Sequence, residues 1–146
     1  MPTTTIQSAA SKSGKSLGGV IKHGPKLPAG GVIISVRHLP NPYGKLHEFK
    51  FTHNISDADW PKRLRDQIKL FLRTLAPDKL DRVIKKGQTA IELGRPVAVV
   101  CSHGRDRSPA VAEMIGELFH PSQIKYEHRE LLTSKTAGAS GDDDCA

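Results

Sequence analysis

The residues that could carry out chemistry are concentrated in the stretch VAVVCSHGRDRSPAVAEM, at positions 97–114. An apolar run stops at Cys101, a loop with a glycine and two arginines follows, and Ser108 opens an amphipathic segment. Successive backbone N–H groups in such a loop, with a helix N-terminus behind them, form a concavity that attracts anions. We therefore predict a phosphate-binding loop here. Its candidate ligands are all the residues from the strand end to the helix start: Cys101, Ser102, His103, Gly104, Arg105, Asp106, Arg107 and Ser108.

The spacing Cys101-x5-Arg107-Ser108 also fits the loop of cysteine-dependent phosphatases. In that chemistry a thiolate attacks phosphorus while the arginine holds the equatorial oxygens, and a general acid protonates the leaving group. Asp59 beside a tryptophan is the candidate acid, although the order Asp-Trp-Pro suits a helix cap better. Two interpretations of Cys101 stay open, a pocket wall and a nucleophile, and we favour the pocket wall and a non-enzymatic protein.

The elements around this loop indicate an α/β fold with a small, mainly parallel sheet. The apolar runs 31–36 and 96–101 predict strands buried on both faces, and 123–128 predicts a third strand. Segments 56–77, 78–93 and 108–119 have helical periodicity, whereas 44–53 suits a loop or a short edge strand. The first helix presents one apolar stripe, which consists of Leu64, Ile68, Phe71, Leu72 and Leu75. Strands separated by helices pair in parallel, and ligands bind beyond their carboxyl ends.

The ends of the chain lack this periodicity. We expect a disordered basic arm over 1–30, one domain over 31–134 and a disordered tail over 135–146. The net charge of +7 favours phosphorylated or polyanionic partners. The apolar runs are too short to span a bilayer, and one internal cysteine suits a reducing, cytoplasmic setting. We expect no cofactor, no metal site and no membrane partner.

Three motifs together resemble the C-terminal domain of the RapZ family, the RNase adapter proteins. VRHLPNPY resembles the family's strand end D-V-R-F-L-P-N-P-H, and CSHGRDRS resembles its loop G-C-T-G-G-[KQ]-H-R-S. The closing YEHRE resembles a strand with R-H-R. The positions that match are Arg37, Leu39, Pro40, Asn41, Pro42, Cys101, Gly104, Arg107, Ser108, Ala112, Glu113, His128 and Arg129. The family's N-terminal P-loop domain has no counterpart in this sequence, so we expect a stand-alone domain without nucleotide binding.

The resemblance implies a domain that senses a phosphorylated sugar and binds RNA. It implies a non-enzymatic regulatory role, with a sugar phosphate or inorganic phosphate as ligand and RNA or a protein as further partners. Residues from the other two motifs would ring the same basic pocket: Arg37, Asn41, Tyr43, His128 and Arg129. Cations along the first helix are candidates for RNA phosphates: Lys62, Arg63, Arg65, Lys69 and Arg73.

Overall fold

A computed structural model describes residues 3–10, 25–101 and 106–129 of this chain. Within them lies a sheet whose strands are β1 (Thr4–Ala10), β2 (Val32–Ser35), β3 (Val97–Cys101) and β4 (Ile124–Arg129). Their order is β2-β3-β1-β4, and every neighbouring pair is parallel. The helices are α1 (Tyr43–Thr52), α2 (Trp60–Leu75), α3 (Pro77–Glu92) and α4 (Arg107–Gly116), and a short 3-10 helix covers Pro121–Gln123. The predicted α/β class with a parallel sheet is confirmed.

Strand β3 and helix α4 form the centre of the core. All five residues of β3 are buried, because β2 and β1 pair with it on either side and helices cover it. Helix α4 packs on β1 and β3, and Val111 and Ile115 are fully buried there. Helix α3 approaches α4 closely at Gly87, where an added Cβ would lie 2.4 Å from Cδ1 of Ile115. This close contact fixes the helix that begins directly after the predicted phosphate loop.

Strand β1 corrects the expectation of a disordered arm over 1–30. Thr4–Ala10 lies between β3 and β4, and Ile6, Ala9 and Ala10 have no exposed surface. The segment TTIQSAA carries one large apolar residue, so it lacks the hydrophobic run that identified the other strands. It is a strand because its small side chains fit beneath α4, and because the buried amide of Gln7 bonds to Lys26 and Glu127.

Three further expectations about secondary structure and burial are wrong. Residues 44–52 are helical as part of α1, which follows two prolines and buries only Leu46. Strand β2 is an edge strand with one open face, so Ile33 is 61% exposed. Leu75 ends α2 and is 56% exposed, outside the buried stripe around Ile68 and Leu72. Each depends on how the strands and helices are arranged in space, which local periodicity does not specify.

No helix in the described part of the chain is both long and apolar enough to cross a lipid bilayer. The tail expected over 135–146 lies outside the described residues.

Candidate functional site

All strands of the sheet end at one edge. Cys101 of β3 pairs with Ala10 of β1, and Arg129 of β4 pairs with Ala9. Directly after β2, the amide of Val36 donates to the carbonyl of Val100 at 2.8 Å. Since α4 begins six residues after Cys101, its N-terminus lies at this carboxyl edge. This is where ligands bind in parallel sheets, as the sequence predicted for the loop.

Cys101 is fully buried at the end of β3. Its thiol contacts the hydroxyl of Ser108, with Sγ donating to Oγ over 3.4 Å. Ser108 is also fully buried and its hydroxyl lies 3.5 Å from the carbonyl of Ala9, which it reaches as a donor. The thiol is therefore part of a polar contact that ties β3, β1 and α4 together.

Arg107 is the first residue of α4 and is only 3% exposed. Its Nη1 donates to the carbonyl of Leu39 at 2.7 Å and to that of Arg37 at 3.1 Å. The guanidinium thus holds the turn that follows β2 against the start of α4. Asp106, at the helix N-cap position, is also buried, and its side chain makes no capping hydrogen bond there.

The turn after β2 carries the other predicted pocket residues of this motif. Arg37, Asn41 and Tyr43 are all at the surface. The Oδ1 of Asn41 accepts from the amide of Tyr43 at 3.1 Å, a local bond that begins α1 after Pro42. The ring of Tyr43 lies 4.5 Å from that of His47, centroid to centroid. The structure therefore brings this turn beside the end of β3, because β2 and β3 are neighbours.

His128 and Arg129 do not join Cys101 directly, because β1 separates β4 from β3. Strand neighbours point to opposite faces, so the two side chains leave the sheet on opposite sides. His128 faces α4: its Nδ1 lies 2.7 Å from the hydroxyl of Ser8, and its Nε2 lies 3.6 Å from a carboxylate oxygen of Glu113. The expectation that both residues line one pocket with Cys101 stays a prediction, and His128 contributes to a polar cluster on α4.

That cluster is centred on Glu113 of α4, and we call it the Glu113 cluster. Its members are Glu113, Glu117, Arg65, Lys69 and His128. Arg65 donates to Glu113 at 2.5 Å, while Lys69 reaches Glu113 at 3.1 Å and Glu117 at 2.8 Å. Burial alone would raise the pKa of Glu113, but the contact with His128 and the cations Arg65 and Lys69 lower that pKa to about 2.

The Glu113 cluster changes the prediction for RNA contacts on α2. Lys69 is 8% exposed and Arg65 is half-buried, and both are held by carboxylates in or directly after α4. Burial alone would lower the pKa of Lys69, but Glu117 and Glu113 raise it. Arg65 and Lys69 are therefore engaged in ion pairs within the protein, whereas Lys62, Arg63 and Arg73 are exposed.

Helix α2 packs on α4, where Arg65 and Lys69 pair with Glu113 and Glu117. Asp59, the candidate general acid, directly precedes α2 and is exposed, and its catalytic role stays a prediction. Asp59 occupies the N-cap position, but its side chain makes no capping hydrogen bond. Asp57, two residues earlier, pairs with Lys50, which lowers the pKa of Asp57.

A basic cleft next to this edge was missed by the sequence reasoning, and we call it the His38 cleft. Its volume is about 440 Å³, and it lies between the turn after β2 and the junction of α2 and α3. The residues that line it are His38, Pro40, Leu75, Ala76, Pro77, Asp78, Lys79 and Arg82. Burial lowers the pKa of His38, and so do the positive charges of Lys79, Arg82, Lys86 and Arg107. The signal in the sequence was the helical spacing of Lys79, Arg82 and Lys86.

The middle of the predicted phosphate loop lies outside the described residues. This applies to Ser102, His103, Gly104 and Arg105, whose roles stay predictions.

In the Cys-x5-Arg-Ser segment, Cys101 ends the buried strand β3 and Arg107 begins α4. Both residues lie beside the turn that carries RHLPNPY. A family model described as the RapZ C-terminal domain matches residues 19–132 of the 146-residue chain. The chain belongs to this family. The resemblance drawn from three motifs is thereby confirmed, and a RapZ C-terminal domain is a regulatory domain in general terms. The match includes β2, β3 and β4 but begins after β1, and no curated protein matches the chain.

Proposed function

We propose that this RapZ C-terminal domain is a non-enzymatic regulatory domain that binds a phosphorylated small molecule at the Cys101–Ser108 loop. A sugar phosphate is the ligand class that we favour, with inorganic phosphate as its simplest form. The observation that carries the proposal is the position of this loop: it joins the carboxyl end of β3 to the N-terminus of α4. Backbone N–H groups at such a helix start attract a phosphate dianion.

The environment of Cys101 favours binding over catalysis. A nucleophilic cysteine needs thiolate character and access to the substrate, and reactive cysteines are partly exposed. Cys101 has no exposed surface and its Sγ donates to Ser108. In addition, Nη1 of Arg107 donates to two backbone carbonyls, so this part of the guanidinium stabilises the protein rather than a phosphoryl group. These contacts support the pocket-wall interpretation over the phosphatase alternative.

The first experiment measures binding and turnover side by side. Thermal unfolding is followed with phosphate and glucose 6-phosphate, and hydrolysis of an aryl phosphate is assayed with wild type, Cys101→Ser and Asp59→Asn. A ligand at a hundred times its Kd stabilises a protein by about 2.7 kcal/mol, which raises the melting temperature by several degrees. We expect stabilisation by the sugar phosphate and no hydrolysis.

The site is assigned with the loop variant Arg105→Gln and the control Lys125→Gln, which removes the same charge from an exposed lysine of β4. Arg107 is unsuitable as a first target because its replacement would release the turn after β2. The ligand-induced shift should shrink in Arg105→Gln and persist in the control. Hydrolysis that disappears in Cys101→Ser would instead establish the phosphatase, and the absence of any shift would refute phosphate binding.

RNA is a second candidate partner, supported by the exposed cations Lys62, Arg63 and Arg73 on α2. Cations that contact backbone phosphates give an affinity that falls steeply with salt. Titration of single-stranded RNA at several salt concentrations tests this, with Lys62→Gln/Arg63→Gln against the control Lys45→Gln/Lys125→Gln. A reduced affinity and a shallower salt slope in the first variant alone would support the contact, whereas equal behaviour of both variants would exclude these residues.

A further inference from the structure

We infer that the His38 cleft binds a second phosphoryl group, so that the preferred ligand is a bisphosphorylated small molecule. This inference rests on the proposed function, because the first phosphate is taken to bind at the Cys101–Ser108 loop. The cations Lys79 and Arg82, which supply the second anchor, lie outside the three motifs that carry the family resemblance, whereas His38 and Pro40 belong to the first motif.

The shape of the cleft suits a compact organic molecule. Its volume of about 440 Å³ lies within the range of ligand pockets, roughly 300–1,000 Å³. Part of its wall is apolar, from Pro40, Leu75, Ala76 and Pro77, and the remainder is charged or polar. An open concavity with an apolar wall can hold one face of a sugar ring and direct its phosphate toward the cations.

The described residues that line the cleft carry more positive than negative charge. Lys79 and Arg82 line it, and Lys86 lies one turn further along α3. Within the described part of the chain, none of these three residues forms an ion pair with a carboxylate. Asp78 is the acid among the lining residues, and it offsets one of the positive charges. A positive field persists at His38, whose pKa is lowered first by burial and then by Lys79, Arg82, Lys86 and Arg107.

Arg107 connects the cleft to the predicted loop. His38 lies between Arg37 and Leu39, the two residues whose carbonyls accept from Nη1 of Arg107. Arg107 in turn is the residue of the predicted loop at which α4 begins. A ligand anchored at the loop therefore has the His38 cleft as a neighbour, and its second phosphate binds intramolecularly at a high effective concentration.

Calorimetric titration with fructose 6-phosphate and fructose 1,6-bisphosphate tests the inference. We expect the bisphosphate to bind wild type about tenfold more tightly, as one added charge-assisted contact provides. The variant Lys79→Gln/Arg82→Gln should lose this advantage and keep its affinity for the monophosphate. The control Lys45→Gln/Lys125→Gln removes the same charge from exposed lysines that do not line the cleft, and it should keep the advantage.

The outcomes separate the inference from the proposed function. If neither sugar phosphate binds wild type, the proposed function fails and the inference fails with it. If the monophosphate binds but the bisphosphate binds no better, or if Lys79→Gln/Arg82→Gln keeps the advantage, only the inference is overturned. If that variant instead loses affinity for a short single-stranded RNA while both sugar phosphates bind as before, the cleft is an RNA contact and the inference is wrong.

Discussion

Two charged regions involve α2, one where it packs on α4 and one where it meets α3, and their charges are used in opposite ways. In the Glu113 cluster, Arg65 and Lys69 pair with carboxylates in or directly after α4, and Lys69 is almost buried. In the His38 cleft, Lys79 and Arg82 line an open cavity and lack such partners within the described residues. Partnered charges in a half-buried setting hold elements together, whereas cations that face a cavity are available to a ligand.

The comparison also shows why a count of basic residues is a poor guide to a binding surface. The sequence presents α2 as the most basic helix, with five cations between Lys62 and Arg73. Two of them are occupied by Glu113 and Glu117, which are 48 positions away in the chain. Helix α3 carries fewer cations in the sequence, yet those cations create the positive field at His38.

The strongest test of the structural role is Glu113→Gln. This change removes the negative charge that Arg65, Lys69 and His128 share. Removing one partner of a buried pair costs about 3–5 kcal/mol, and since the Glu113 side chain is 26% exposed we expect about 2 kcal/mol, measured by urea unfolding at pH 7. The control Glu117→Gln, at a side chain that is 54% exposed, should cost less than about 1 kcal/mol. Equal costs for both variants would show that Glu113 is not the centre of the cluster.

The same cluster predicts a pH dependence of stability. The pKa of Glu113 is about 2 in the folded protein, below its ordinary value of 4.5, so the folded state releases its proton more readily. The stabilisation is therefore fully present above pH 4.5 and is lost as the pH falls from 4.5 toward 2. The difference in unfolding free energy between wild type and Glu113→Gln should shrink over this interval. A difference that stays constant down to pH 2.5 would contradict the assignment.

The smallest expected effect is at the His38 cleft, where the readout is a pKa. The Lys79→Gln/Arg82→Gln variant removes two of the positive charges that lower the pKa of His38. We expect that pKa to rise toward 6.5, because the imidazolium is less strongly repelled, while burial and the charges of Lys86 and Arg107 continue to lower it. An NMR titration of the imidazole measures the change, with Lys45→Gln/Lys125→Gln as control. An unchanged pKa would show that these two cations do not act on the cleft.

Much of the fold could be predicted from the sequence, because it is encoded locally. The continuous apolar run before Cys101 specified β3, and the helical periodicity of Leu64, Ile68 and Leu72 specified α2. The alternation of strands and helices then implied parallel pairing. In the same way, the order of strand, glycine-containing loop and helix around Cys101 located the candidate site at the carboxyl edge.

What the sequence by itself determined was the set of elements with a strong periodic pattern, and the family, through three short motifs. Only the tertiary structure decided that Thr4–Ala10 is a central strand, since burial of Gln7 and Ser8 depends on Glu127 and His128, 120 positions later. The same holds for the charges of α2 and α3. Whether a cation pairs with a carboxylate or faces a cavity depends on which helices and strands pack beside that cation. This packing is specified by contacts across the whole domain rather than by neighbouring residues in the chain.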